Sequence, residues 1–216
     1  MHIVSRRLRW WWASSQMSNP HIFHLDGGVV AVAPICAETE LVGRATAEEL
    51  RSVEGISAAS RRAERLAWRA LLRELEPQAR VEYLPSGKPR ILNSQYHHIS
   101  VSHSREMVAV ALSNRCCGVD VECRSRNFGR VKSRYMTSQE QLLSTNDDWA
   151  AVVWCAKEAL YKFAGREGVD FLRDIIIRSA QCHDSKWRLT AELFGTEQVE
   201  LRGEPIDEEH ILVFTL

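Results

Sequence analysis

The stretch WCAKEALYKFAG, residues 154–165, decides how this chain is read. Trp154, Ala159, Leu160, Tyr161 and Phe163 give it the character of a buried helix, yet Lys157, Glu158 and Lys162 sit among them. Glu158 and Lys162 stand four positions apart and so share a helix face, where such a pair is ordinarily an exposed salt bridge. The apolar neighbours leave little polar surface for an ornamental bridge. An acid and a base held in such surroundings are candidates for chemistry.

A second stretch, GVDVE at 118–122, places Asp120 and Glu122 two apart. On a strand, residues two apart project from the same face. Two carboxylates on one face of an apolar strand repel each other and lose hydration, so they need water or a cation. A strand end reaching solvent at Glu122 meets that need, and so does Mg²⁺, which takes a few carboxylate oxygens and leaves the rest of its shell to phosphate and water.

Working outward, HIFHLDGGVVAVAPI (21–35) predicts a strand pair about Gly27-Gly28. Thr46, three before Glu49, opens a capping box. The helical run that follows ends at Pro77, turning Ala59, Ala63, Leu66, Ala70 and Leu71 inward and Arg61, Arg62, Arg65 and Arg69 outward. RVEYL, HISVS, EMVAVAL and CGVDVE then predict strands in quick succession, arranged as an antiparallel meander on that helix. RDIIIR, KWRLTAEL and HILVFTL close the chain as further strands. Helix then strands thus occurs twice. The expected fold class is α+β, with two pseudo-symmetric halves, each a helix packed on a mainly antiparallel sheet. The expected boundaries are 17–115 and 116–216, with 1–16 an appendage before an alternative start at Met17.

Composition narrows the field. The chain has 216 residues, 45% of them hydrophobic, which is enough to bury a real core. Lys plus Arg equal Asp plus Glu at 28 each, so no overall charge points to nucleic acid or a membrane surface. Any anionic partner must be met by a local patch. Cys36, Cys116, Cys117, Cys123, Cys155 and Cys182 form no CxxC pair and no zinc spacing, which suits reduced thiols of a cytoplasmic protein. There is no GxxxxGK[ST] phosphate loop and no apolar run of membrane-spanning length.

Taken together, GVDVE and WCAKEALYK, with Asp120 and Glu158 separated by 38 positions, resemble the signature of the 4'-phosphopantetheinyl transferases. That pattern is G-(I/V)-D followed some forty residues later by (F/W)-x-x-K-E-x-x-x-K. SGKP (86–89), ISVSHS (99–104) and RYMTSQE (134–140) resemble further motifs of the family in the family's order. The resemblance spans about residues 60 to 165, and the chain's length matches the surfactin-type class, monomers of two halves with the site in the cleft between them.

The resemblance implies Mg²⁺-dependent transfer of phosphopantetheine from coenzyme A to a serine of an apo acyl or peptidyl carrier protein, as a holo-[acyl-carrier-protein] synthase does, releasing adenosine 3',5'-bisphosphate. Such a reaction serves fatty acid or secondary metabolite biosynthesis. It implies that Asp120, Glu122 and Glu158 hold the metal, that Glu158 is also the base for the carrier serine, and that Lys162 neutralises the pyrophosphate. His103 with Ser102 beside it, Lys88, and Arg65 with Arg61 match the contacts to coenzyme A. Arg134, Tyr135 and Met136 are candidates for the rim that meets the carrier. Departures from the pattern are Arg105 in place of a common glycine, Tyr135-Met136 for a double phenylalanine, and Cys155-Ala156. Two other readings use the same residues: a Mg²⁺-dependent phosphohydrolase with water as acceptor, and a coenzyme A- or carrier-binding module without turnover.

Overall fold

The structure is a computed structural model that describes residues 19–85 and 87–216. Ser86 and the appendage expected at 1–16 lie outside the described residues. The elements in chain order are β1 (His21–Leu25), β2 (Gly28–Pro34), α1 (Glu38–Arg44), α2 (Ala47–Arg51), α3 (Ala59–Leu75), β3 (Arg80–Tyr83), β4 (Pro89–Leu92), β5 (His98–His103), β6 (Met107–Ser113) and β7 (Val119–Cys123). There follow a 3-10 helix over Phe128–Arg134, then α4 (Ser138–Gln141), α5 (Trp149–Ala164), β8 (Ile175–His183), β9 (Lys186–Leu193), β10 (Glu197–Pro205) and β11 (His210–Thr215). The class is α+β, with every strand pairing antiparallel.

The expected meander is corrected. β5 and β6 form a hairpin, but β6 pairs on its other side with β2, giving the order β1-β2-β6-β5. β3 pairs only with β4, as a separate two-stranded hairpin, and β7 leaves the first sheet to become an edge of the second, β7-β11-β10-β9-β8. Burial explains the rearrangement. β2 and β6 are apolar on both faces and need cover on both, so they take central places. β10 was not foreseen: its charged residues hide the alternation of Val199, Leu201 and Gly203 toward the core. Gly203 leaves room there for Trp187, whose Cβ would stand 3.0 Å from an added side-chain carbon.

Three apolar layers hold four layers of structure together. Leu66 and Leu71 of α3 pack on Val108 and Val110 of the first sheet. The reverse face of that sheet, with Val30, Val32, Ala109 and Ala111, meets Val119, Val121, Leu212 and Phe214 of the second. The far face of the second sheet carries α5, through Ile211, Val213, Leu189 and Leu201. In both halves the long helix lies over an opening strand and the closing strand it pairs with, β2 and β6 under α3, β7 and β11 under α5. The doubling is therefore strand, helix, strands, rather than helix then strands. Of the residues expected to face inward from α3, Ala63, Leu66, Ala70 and Leu71 are buried, while Ala59, in the first turn, is exposed.

A residue-level echo of the doubling also appears. Thr46 caps α2 in a reciprocal box with Glu49, and Thr137 caps α4 the same way with Glu140. Glu49 receives Arg73 of the following long helix at 3.0 Å, and Glu140 receives Lys157 at 2.7 Å. Among the described residues no helix is long and apolar enough to cross a membrane. All six cysteines are free, with Cys116 and Cys182 exposed and Cys36, Cys117 and Cys155 buried.

Candidate active site

The two sheets meet along β5 and β7, and the sequence dictates how. As an edge strand β7 has backbone N–H groups without a strand to receive them, which burial would make unfavourable. Two serine hydroxyls from β5 take that role. Ser100 Oγ accepts from the Val119 N–H at 3.1 Å and Ser102 Oγ from the Val121 N–H at 3.4 Å. Between these bonds Asp120 turns its side chain back toward α5.

Helix α5 comes close to β7 because residue 118 is glycine. A Cβ there would lie 1.9 Å from the Ala159 carbonyl oxygen, which is rigid helix backbone. The close approach brings the second signature onto the first. Asp120, only 5% exposed, receives at Oδ1 both the Ser102 hydroxyl (2.6 Å) and the Lys162 ammonium (2.8 Å). Lys162 also donates to the Val119 carbonyl at 3.0 Å. It thus bridges to β7 rather than to Glu158, its neighbour one turn earlier. The other oxygen, Asp120 Oδ2, is buried and has no hydrogen-bond partner among the described residues. An unpaired buried carboxylate oxygen is unfavourable by itself and suits a cation or a donor brought by a ligand.

Glu122 lies next on the same face, held by Trp154 Nε1 at 2.9 Å and by the Arg126 guanidinium. Burial, then the Asp120 charge, push its carboxyl above the ordinary value despite those two donors. Burial and Asp120 push the Glu158 carboxyl up likewise, against the opposing pull of Lys162 and Arg126. A cation among these three acids would relieve both effects, so the donor set fits a hard divalent ion that completes its shell with ligand oxygens and water. Among the described residues no three acids, histidines or cysteines form a ready-made metal cage.

Two recesses flank this seam. One, a cleft of about 370 Å³, is lined by Trp68, Tyr83, Pro89, Val101 and Tyr161, together with Lys88, Lys162 and Arg166. Aromatic walls with cations at the rim suit an aromatic, phosphorylated ligand. Lys88 reaches across from the β3–β4 hairpin to the end of α5. An added carbon on Gly165, the left-handed cap of that helix, would lie 2.2 Å from the Lys88 ammonium. The other recess, about 510 Å³, is lined by His103, Arg105, Glu106, Glu122, Arg126 and His210, among others.

The sequence candidates therefore divide. Asp120 and Lys162 touch, Glu122 and Glu158 feel the Asp120 charge, and Lys88 shares a cleft with Lys162. His103 shares the second recess with Glu122, half-exposed and 3.5 Å from Glu64. Ser102 lines neither recess, and its hydroxyl is buried against Asp120. Arg65 binds the Ser52 carbonyl at 3.1 Å and lies over the Tyr83 ring at the cleft. Arg61 is exposed and lines neither recess. Two of the three rim candidates are corrected, and Arg134 stays at the surface. Tyr135 and Met136 are buried, Tyr135 donating to the Ala150 carbonyl at 2.9 Å, whereas Arg130, Arg134 and Leu142, the last 85% exposed, reach solvent nearby.

Sequence reasoning missed Ser100, Arg126 and Trp154. Trp154 was read as core alone, yet its ring N–H aims at Glu122, and Arg126 could have been suspected from its place four residues beyond that acid. Residues 116–213 match the model of the 4'-phosphopantetheinyl transferase superfamily. No curated protein matches the chain.

Proposed function

We propose that this chain, whose residues 116–213 match the model of the 4'-phosphopantetheinyl transferase superfamily, moves phosphopantetheine from coenzyme A to a serine of an apo carrier protein. The observation that carries this reading is the seam itself: Asp120 Oδ2 buried without a partner beside Lys162, with Glu122 and Glu158 on the same side. The halves divide the work at about residue 115, the first contributing nucleotide contacts and the second the acids, and a monomer suffices because both sides of the site come from one chain.

Asp120, Glu122 and Glu158 would hold Mg²⁺, which when bound supplies positive charge against the pyrophosphate. The rest is performed by the chain. The cleft with Trp68, Tyr83 and Lys88 receives the adenine nucleotide, and His103, Arg65 and Arg61 are candidates for its phosphates. Glu158, whose carboxylate has no hydrogen bond to a described residue and whose proton affinity is raised by burial, takes the proton of the carrier serine directly or through one water. The serine oxygen then bonds to the phosphorus bearing pantetheine. The bond from that phosphorus to the bridging oxygen breaks, and its electron pair leaves on adenosine 3',5'-bisphosphate. Lys162 stabilises the charge gathering there. The carrier docks on the exposed side formed by Arg130, Arg134 and Leu142, a basic and apolar surface suited to an acidic helix.

The test is carrier-dependent release of adenosine 3',5'-bisphosphate from coenzyme A, followed by chromatography. Release that requires both Mg²⁺ and an apo carrier, one equivalent per carrier, is expected. Release without carrier would mark a phosphohydrolase instead, and coenzyme A binding without release would mark a binding module.

A further inference from the structure

The carboxylate of Asp120 is not symmetrical in its surroundings, and the asymmetry comes from the other half of the molecule. Oδ1 receives Ser102 and Lys162, while Oδ2 is buried without a hydrogen-bond partner among the described residues, the weakly donating Cys155 thiol of α5 lying beside the carboxylate. Lys162 alone does not fix this arrangement. It is a flexible side chain, about a quarter exposed, that also answers to the Val119 carbonyl. The Ser102 hydroxyl is rigidly placed. It sits on a paired strand, is 4% exposed, and is oriented because it accepts from the Val121 N–H while donating to Asp120.

We infer that Ser102 is a positioning residue that holds the Asp120 carboxylate by Oδ1, which leaves Oδ2 as the oxygen available to a divalent cation. This inference rests on the transferase reading for the cation's use, but its geometry does not. The consequence is that cation affinity depends on the two halves being seated together, since donor and acceptor lie on different sheets.

Ser100 supplies the control. It lies on the same strand and the same face and binds the same edge, through the Val119 N–H, but its hydroxyl makes no bond to Asp120. Loss of either serine weakens the seam, and only loss of Ser102 should loosen the carboxylate. Groups that orient a metal-binding side chain typically matter 10–100-fold in affinity when removed.

The experiment measures Mn²⁺ binding to the intact chain by electron paramagnetic resonance, without turnover, alongside the melting temperature. Ser102→Ala should weaken Mn²⁺ binding by about 10–100-fold. Ser100→Ala should leave it within about twofold while lowering the melting temperature comparably. Ser102→Cys, which keeps a weak donor of similar size, should fall between, and it carries the same test should the alanine variant fail to fold. Equal Mn²⁺ affinity in the wild-type, Ser102→Ala and Ser102→Cys proteins would overturn the inference, as would no Mn²⁺ binding by the wild-type chain or an equal loss in Ser100→Ala. Release of adenosine 3',5'-bisphosphate by the wild-type chain is measured separately. Its absence would count against the transferase reading and leave the Mn²⁺ comparison standing.

Discussion

Lys157 and Lys162 lie five residues apart on one helix and meet carboxylates in opposite ways. Behind α5, Lys157 and Glu140 are both 0% exposed, and every hydrogen-bonding group is matched. The ammonium has three protons and three kinds of partner: Glu140, the Phe171 carbonyl at 2.6 Å and the Ile175 carbonyl at 2.8 Å. Glu140 in turn receives the Thr137 and Ile177 N–H groups. In front of α5, Lys162 is partly open to solvent, its partner Asp120 keeps one oxygen unmatched, and the Glu158 carboxyl meets Lys162 and Arg126 through their charges. A closed network holds a fold in one arrangement, whereas an open one retains capacity for a ligand. The same helix does both, on two faces.

Removing one partner from the closed network should have the largest effect. Lys157→Met leaves the Glu140 charge buried without its cation, and urea unfolding should show a loss of about 3–5 kcal/mol. Adding Glu140→Gln, which removes the stranded charge and keeps an acceptor for one of the two N–H groups, should restore part of that loss. Additive losses would contradict the closed-network account.

The open side should behave the other way. Lys162→Ala is expected to lower turnover about 10²–10³-fold, with a smaller loss of stability than Lys157→Met, because Lys162 itself is partly open to solvent and the Ser102 hydroxyl still donates to Asp120. A large loss of stability with modest loss of turnover would make the two lysines alike and erase the comparison. Further out, Arg130→Glu with Arg134→Glu should raise the KM for carrier about tenfold with kcat unchanged, since rim charges act on encounter. A fall in kcat alone would place those arginines elsewhere in the account.

The smallest expected effect concerns pH. The Glu158 carboxyl titrates above its ordinary 4.5 in the folded chain, with burial as the leading cause. Between 4.5 and that raised value the folded chain binds more protons than the unfolded one, so this group's contribution to stability falls as pH rises through the window. Above it the penalty is fully present. Glu158→Gln should therefore raise the melting temperature at pH 7 by about 1–3 °C while reducing activity, and the gain should vanish below pH 4.5. A variant less stable than wild type at pH 7 would show that Glu158 supports the fold.

The sequence exposes the open side more readily than the closed one. GVDVE and WCAKEALYK carry charge where apolar residues are expected, and that conflict announced Asp120, Glu122, Glu158 and Lys162. The Thr46 capping box was also legible, because its two residues lie three apart and act locally. Its counterpart at Thr137 and Glu140 uses the same spacing, but the meaning of Glu140 depends on Lys157, seventeen positions on, and on Ile177 in a strand of the second sheet. Such long-range closure leaves no local pattern. The seam escaped for the same reason. Nothing in ISVSHS tells that Ser100 and Ser102 will serve as the missing neighbour of β7, since that requires knowing which strands are edges. Tyr135 and Met136 were placed at the rim by the resemblance of RYMTSQE to the family's motif, whereas they turn inward under α5.

The most direct measurement is the intact mass of an apo carrier protein after incubation with coenzyme A, Mg²⁺ and this chain, beside a Glu158→Ala chain of matched melting temperature. The account predicts a gain of about 340 Da, the phosphopantetheinyl group, with the wild-type chain and none with the variant. An unchanged carrier mass with the wild-type chain across carriers from several pathways, or an undiminished gain with Glu158→Ala, would contradict it.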